Sequence, residues 1–234
     1  MRRMLMAAAA LLLACAHHEA KVDDSGLARL NQQQMQPVDQ ARIDLGHAQD
    51  AVARARANEA DARAQLEVTK SDREVAEAQL RRSTAERDLL KKQYAGTDAV
   101  VRAEQDARGA QDRVKAADVK TQYLGQLIAL RESERKLAEA HVVTAQAMTE
   151  QTKLRAMQYA NAPQASATNA GEIDQRVAKA RGDETELQKQ VADQRTKAFE
   201  LYNQWERYDA SARALARPSG TIPTPPPVSE PTTH

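Results

Sequence analysis

Apolar and small residues recur at alternating spacings of three and four along most of this chain, the pattern of helices that bury one stripe and wet the other. The first run places Val38, Leu45, Val52, Glu59, Leu66, Arg73, Leu80, Arg87 and Tyr94 at one seam position. Its partner position holds Ala41, Ala48, Ala55, Ala62, Thr69, Ala76, Ser83 and Leu90. This second series is nearly all small, so a neighbouring helix can approach closely along that edge, while the charges on the first predict imperfect or locally rotated packing. Pro37 suits the first turn of this helix, where its missing N–H has no partner to lose. Gly96 then reads as a helix end, with Thr97 or Asp98 capping the next helix.

A second run carries Val100, Ala103, Ala107, Ala110, Val114, Ala117, Thr121, Leu124 and Ile128, and continues through Arg131, Arg135, Ala138, Val142, Ala145, Thr149, Thr152, Ala156 and Tyr159. Leu127, Leu130 and Leu137 broaden its apolar face. Extending the first register past Tyr94 lands on Thr97, Val101, Glu104 and Arg108 rather than on Val100, Ala103 and Ala107, and that offset fits a turn at 95–98. An unbroken helix from about 37 to 160 with a local stutter is the competing arrangement. Residues 161–168, with Pro163, read as a loop, and Asn169 followed by Glu172 reads as a capping box. The third run is the most regular: Ile173, Val177, Ala180, Glu184, Leu187, Val191, Gln194, Ala198, Leu201, Trp205, Tyr208, Ala212 and Leu215, interrupted only by Glu184 and Gln194. The predicted helices are 37–94, 98–160 and 169–216, roughly 87, 95 and 70 Å long at 1.5 Å per residue. Acid-before-base pairs four apart, among them Asp50 with Arg54, Glu59 with Arg63, Glu77 with Arg81, Asp88 with Lys92, Glu104 with Arg108 and Glu132 with Lys136, suit water-facing surfaces.

Composition narrows the fold. Aromatic residues are only 3% of the 234, and alanine dominates the hydrophobic share, so the core must be thin. The expected class is all-α: a long antiparallel coiled-coil hairpin or a three-helix bundle with disordered termini. Residues 15–36 read as a tether, broken at Asp23, Asp24, Ser25 and Gly26, with a short helix over Leu27–Met35. Six of the eight prolines fall after Arg217, so 217–234 reads as a disordered, partly polyproline II tail. The net charge is +1, with 34 basic and 33 acidic residues interleaved throughout, which argues against a nucleic-acid surface.

At the amino terminus Arg2 and Arg3 precede an apolar stretch from Met4 to Leu13, the layout of an export signal too short to span a bilayer. It ends in Leu12-Leu13-Ala14-Cys15, which resembles the lipobox of bacterial lipoproteins, with Leu13 standing where Ala, Ser, Thr or Val is usual. The resemblance covers about the first fifteen residues. It implies that 1–14 is a signal peptide, that the Cys15 thiol receives a diacylglyceryl group, and that acylated Cys15 becomes the mature amino terminus. Ala16 after the cysteine implies an outer-membrane address on the periplasmic side. The alanine-rich body loosely resembles helical lipoproteins of diderm bacteria.

Catalytic chemistry finds no foothold in the sequence. There is no phosphate loop, metalloprotease helix motif, Gly-flanked serine or second cysteine. His17, His18 and Glu19 beside Cys15 make a poor metal site, because a thioether sulfur is no thiolate ligand. His47, His141 and His234 lack partners at ligand spacing, although a folded bundle could bring His47 and His141 together. Trp205 with Phe199, Tyr202 and Tyr208 is the one aromatic concentration, and Trp205 and Tyr208 fall on the seam as core. The expectation is therefore a non-enzyme with no catalytic, cofactor or metal site and with lipidation at Cys15. It would act as a lipid-anchored spacer, scaffold or docking surface, with an accessory adaptor of an efflux or secretion system as the alternative. Expected partners are the membrane through the lipid, other envelope proteins through helix surfaces, and a second copy through leftover apolar edges, with no nucleic acid.

Overall fold

A computed structural model describes residues 21–93 and 95–215. Cys15, the signal segment 1–14 and the proline-rich tail 217–234 lie outside the described residues. Within them every regular element is helical: a 3-10 turn at Asp24–Arg29, then α1 (Gln32–Lys92), α2 (Thr97–Tyr159), α3 (Pro163–Ala167) and α4 (Ala170–Leu215). The chain is thus all-α, with α1 packed on α2 and α2 on α4.

The helix ends follow local hydrogen bonding. Asn31 Oδ1 accepts from the Gln34 N–H at 2.9 Å, and Gln34 Oε1 accepts from the Asn31 N–H at 2.9 Å, a reciprocal capping box that starts α1. The start therefore falls five residues before the expected one. Pro37 lies inside the helix rather than in its first turn, and the short helix expected over 27–35 is divided between the 3-10 turn and the opening of α1. At the far end of α1 the break between Lys92 and Thr97 is where the register offset places it. The cap there is Gly96, whose carbonyl accepts from Ala99 and Val100, so Thr97 and Asp98 are already helical. The single continuous helix is excluded by this break.

α2 closes in a Schellman motif. Asn161 adopts φ 52°, the Ala162 N–H donates to the Met157 carbonyl at 2.9 Å, and the Asn161 N–H donates to the Gln158 carbonyl at 3.0 Å. Met157 and Ala162, the two apolar positions that this motif brings together, are both buried. Residues 161–168 are not purely a loop, because Pro163 opens the five-residue α3. Asn169 then accepts from the Glu172 N–H at 3.3 Å and caps α4, as the sequence suggests.

Two compact units emerge: the described residues up to Ala48 with Ala140–Glu184, and Gln49–Glu139 with the described residues from Thr185. The core of the first gathers Val22, Leu27, Val38, Leu154, Met157, Ala162, Ala165 and Ile173. That of the second gathers Ala62, Tyr123, Leu124, Leu127, Leu130, Val191 and Ala198. Large apolar side chains are concentrated in these two clusters, while elsewhere the seams bury alanines such as Ala48, Ala76, Ala103, Ala107 and Ala110.

Antiparallel pairing of α1 with α2 is visible in the contacts of the second unit. Lys91 pairs with Glu104 at 2.7 Å, Arg73 with Asp118, Glu59 with Arg135 at 2.8 Å and Arg56 with Glu139 at 3.2 Å. Sequence separation grows steadily away from the turn, which only a hairpin produces. The charged seam positions Glu59 and Arg73 are thus bridging sites between helices rather than packing faults. The two interruptions of the α4 seam are met in the same way. Glu184 accepts from His141 at 3.1 Å in the first unit, and Gln194 is bonded to Gln126 in the second.

Candidate functional site

Three places in the described residues gather side chains of more than packing interest. The first is a clasp at the amino-terminal end of the first unit. Val22 and Leu27 insert into the apolar core there, so the expected tether is packed onto the body from Val22 onward. The Val22 N–H donates to Glu150 Oε2 at 2.8 Å, which satisfies a main-chain donor with a carboxylate from α2. Lys153, one turn further on and 9% exposed, reaches Asp24 at 2.8 Å and Glu150 at 3.0 Å. Burial favours its neutral amine, but the hydrogen bonds it donates to Asp24 and Glu150 outweigh that and hold the ammonium above the usual lysine range. Asp23 starts the 3-10 turn by accepting from the Ser25 N–H at 3.0 Å and the Ser25 hydroxyl at 2.7 Å, which draws its carboxyl below the usual range. The sequence signal for this clasp was thin: Val22 and Leu27 are isolated apolar residues in a polar stretch, and most of the core they join, from Leu154 to Ile173, lies more than a hundred positions away.

The second is an aromatic cluster in the other unit. Tyr123 stacks on Trp205 with ring centres 6.2 Å apart and planes 4° from parallel, and Tyr202 stands edge-on to each at 5.5 Å. Lys120 Nζ sits 5.7 Å from the centre of the Trp205 ring. Contacts of this kind are worth about 0.5–1.5 kcal/mol each beyond area burial, against about 0–1 kcal/mol for an exposed ion pair. The aromatic cluster therefore outweighs the surface bridges in holding α2 to α4. Trp205 is core, as its seam position implies. Tyr208 and Tyr159, also read as seam residues, are 36% and 80% exposed, and Tyr159 is the last residue of α2. Tyr123 lies one position before the seam residue Leu124 and one turn before Leu127. Its burial raises the phenol above the usual tyrosine range.

The third is a groove of about 550 Å³ between α1 and α2 in the first unit, lined by Pro37, Gln40, Ala41, Asp44, His47, His141, Thr144, Ala145, Met148 and Thr152. It brings His47 and His141 to one surface, as a folded bundle allows. His141 is engaged with Glu184, and no group of three or more His, Cys, Asp or Glu among the described residues could hold a metal ion. Arg and Lys partners account for the depressed carboxyls elsewhere: Glu59 is lowered by Arg63 and then Arg135, and Glu104 by Lys91. These are bridges within and between helices, which bind the protein to itself.

The lipidation candidate Cys15, together with His17, His18, Glu19 and His234, lies outside the described residues. No described helix is long and apolar enough to cross a membrane. Comparison with known proteins finds no matching family model, no similar curated protein and no similar solved structure.

Proposed function

We propose that the chain is a bacterial lipoprotein, held by acyl chains on Cys15 at the periplasmic face of the outer membrane, whose helical body serves as a spacer, scaffold or docking surface. The observation that carries this reading is the order of residues at the amino terminus: two arginines, then ten apolar residues, Met4 to Leu13, whose last two open the sequence Leu12-Leu13-Ala14-Cys15. The clasp supports a mechanical role. Through Val22, Glu150, Asp24 and Lys153 the segment next to the proposed anchor is bonded to α2, so a pull on Cys15 is borne by the folded body. A role as an accessory of a transport channel has the antiparallel α1–α2 hairpin in its favour, because long hairpins of this kind serve as adaptors. Mass spectrometry of the mature protein tests the main reading. It expects a chain beginning at Cys15 and carrying lipid, and an unmodified Cys15 or cleavage elsewhere would overturn it. Cross-linking in membranes separates the two roles, since the adaptor reading expects an outer-membrane channel as the main product.

A further inference from the structure

α1 carries a second heptad stripe, on the side away from the buried Ala62, Thr69 and Ala76. Val68, Val75, Arg82 and Leu89 repeat every seven residues, and Ala64, Ser71, Ala78 and Ala85 repeat beside them at the alternating spacing. All eight are exposed, Val68 to 62%, Val75 to 55% and Leu89 to 54%. A three-four repeat of this length is a coiled-coil seam, and no described residue of the second unit covers it.

We propose that this stripe is the interface with a second copy of the chain, docked antiparallel about a two-fold axis near residues 76 and 77. The size pattern selects the register, and the charges nearest the two-fold axis agree with it. In it Val75 meets Ala78 of the second copy, Val68 meets Ala85, Leu89 meets Ala64 and Arg82 meets Ser71, so each large residue faces a small one and the helices approach closely. Glu74 then stands beside Arg81 of the second copy, and Asp72 beside Arg82. All four are exposed, and no side chain among them forms a hydrogen bond or an ion pair with another described residue of its own chain. Two-fold symmetry repeats each bridge, giving four from two pairs. A parallel pairing loses this match, because it places like residues opposite one another at every layer of the seam. This interface does not depend on lipidation.

The full chain with Cys15→Ser, spin-labelled at a single introduced cysteine, tests the register. Opposite Ala78 lies Val75 of the second copy, so labels at position 78 are offset by only about 4.5 Å along the axis, across helices about 8–10 Å apart. Labels at position 89 are separated by about 38 Å. Short distances at both positions mean a parallel pairing and overturn the proposal, as does a monomer by sedimentation. Charge exchange tests the chemistry on exposed positions that leave the fold intact. Glu74→Arg and Arg81→Glu are each expected to weaken dimerisation about tenfold or more, and the two together to restore it. Single changes without effect, or a double change no better than either single one, would show that a different face pairs.

Discussion

A methyl group on Gly26 would collide with Sδ of Met157, a side chain with no exposed surface and therefore no open direction to move in. Gly26→Ala is expected to cost about 1–3 kcal/mol, seen as a lower urea midpoint. Met157→Ala opens a cavity and destabilises by itself, but combined with Gly26→Ala the loss should fall well short of the sum of the two, because the two side chains compete for one space. Asn161 supplies a second residue-scale test. Its φ of 52° suits Asn or Gly, so Asn161→Gly should melt like the parent, whereas the β-branched Asn161→Val should lose about 1–2 kcal/mol. Sequence reading located Asn161 in the connection after α2 without foreseeing its conformation. It also placed Glu59, Arg73, Glu184 and Gln194 on seams, where they are. Their role was hidden, since each is satisfied by a residue from another helix, and periodicity within one helix does not name the partner.

Helices were the most legible level, because every seam position of α1 among the described residues is buried or half-buried, and the turn near 95–98 follows from a one-residue offset. What escaped were the starts and stops set by side-chain hydrogen bonds. Asn31 and Gln34 form a capping box that was overshadowed by Pro37, whose place in an early turn the helix tolerates. Of the six ion pairs read from spacing, Glu59 with Arg63 and Glu132 with Lys136 form, while Glu104 turns to Lys91 across the hairpin. Local spacing says which pairs are possible, and the neighbouring helix decides among them. These bridges fix the pH response of the hairpin. Glu59 and Glu104 have folded pKa values below the ordinary carboxyl range, so the unfolded chain takes up protons first as pH falls. Their stabilisation is complete above about pH 4.3 and is lost as pH drops through the lower folded values. Thermal melts between neutral and acidic pH should show that decline, and Glu59→Gln should start lower at neutral pH and decline less. Lys153 acts at the other extreme: its raised pKa confines the loss to strongly alkaline solution.

For the molecule as a whole, the proposed attachment and the folded body are separable, which gives a direct test. Cys15→Ser is expected to leave helicity and melting unchanged while releasing the protein from membranes or leaving it unprocessed, as read by circular dichroism and fractionation. Retention in the membrane fraction with a free serine would show that something other than lipid holds it. The fold class was legible from alanine content and periodicity, yet the division into two units was not, because the same seams run through both and only distant contacts separate them. The clasp, finally, fixes a length. Six residues separate Cys15 from Val22, the first described residue that is gripped, and the seven Cα-to-Cα steps at full stretch reach about 25 Å. On the proposed anchor that length is the upper limit on how far the gripped end can stand from the lipidated residue. Inserting residues between Glu19 and Lys21 would lengthen it and leave the bonds formed by Val22, Asp24 and Lys153 in place.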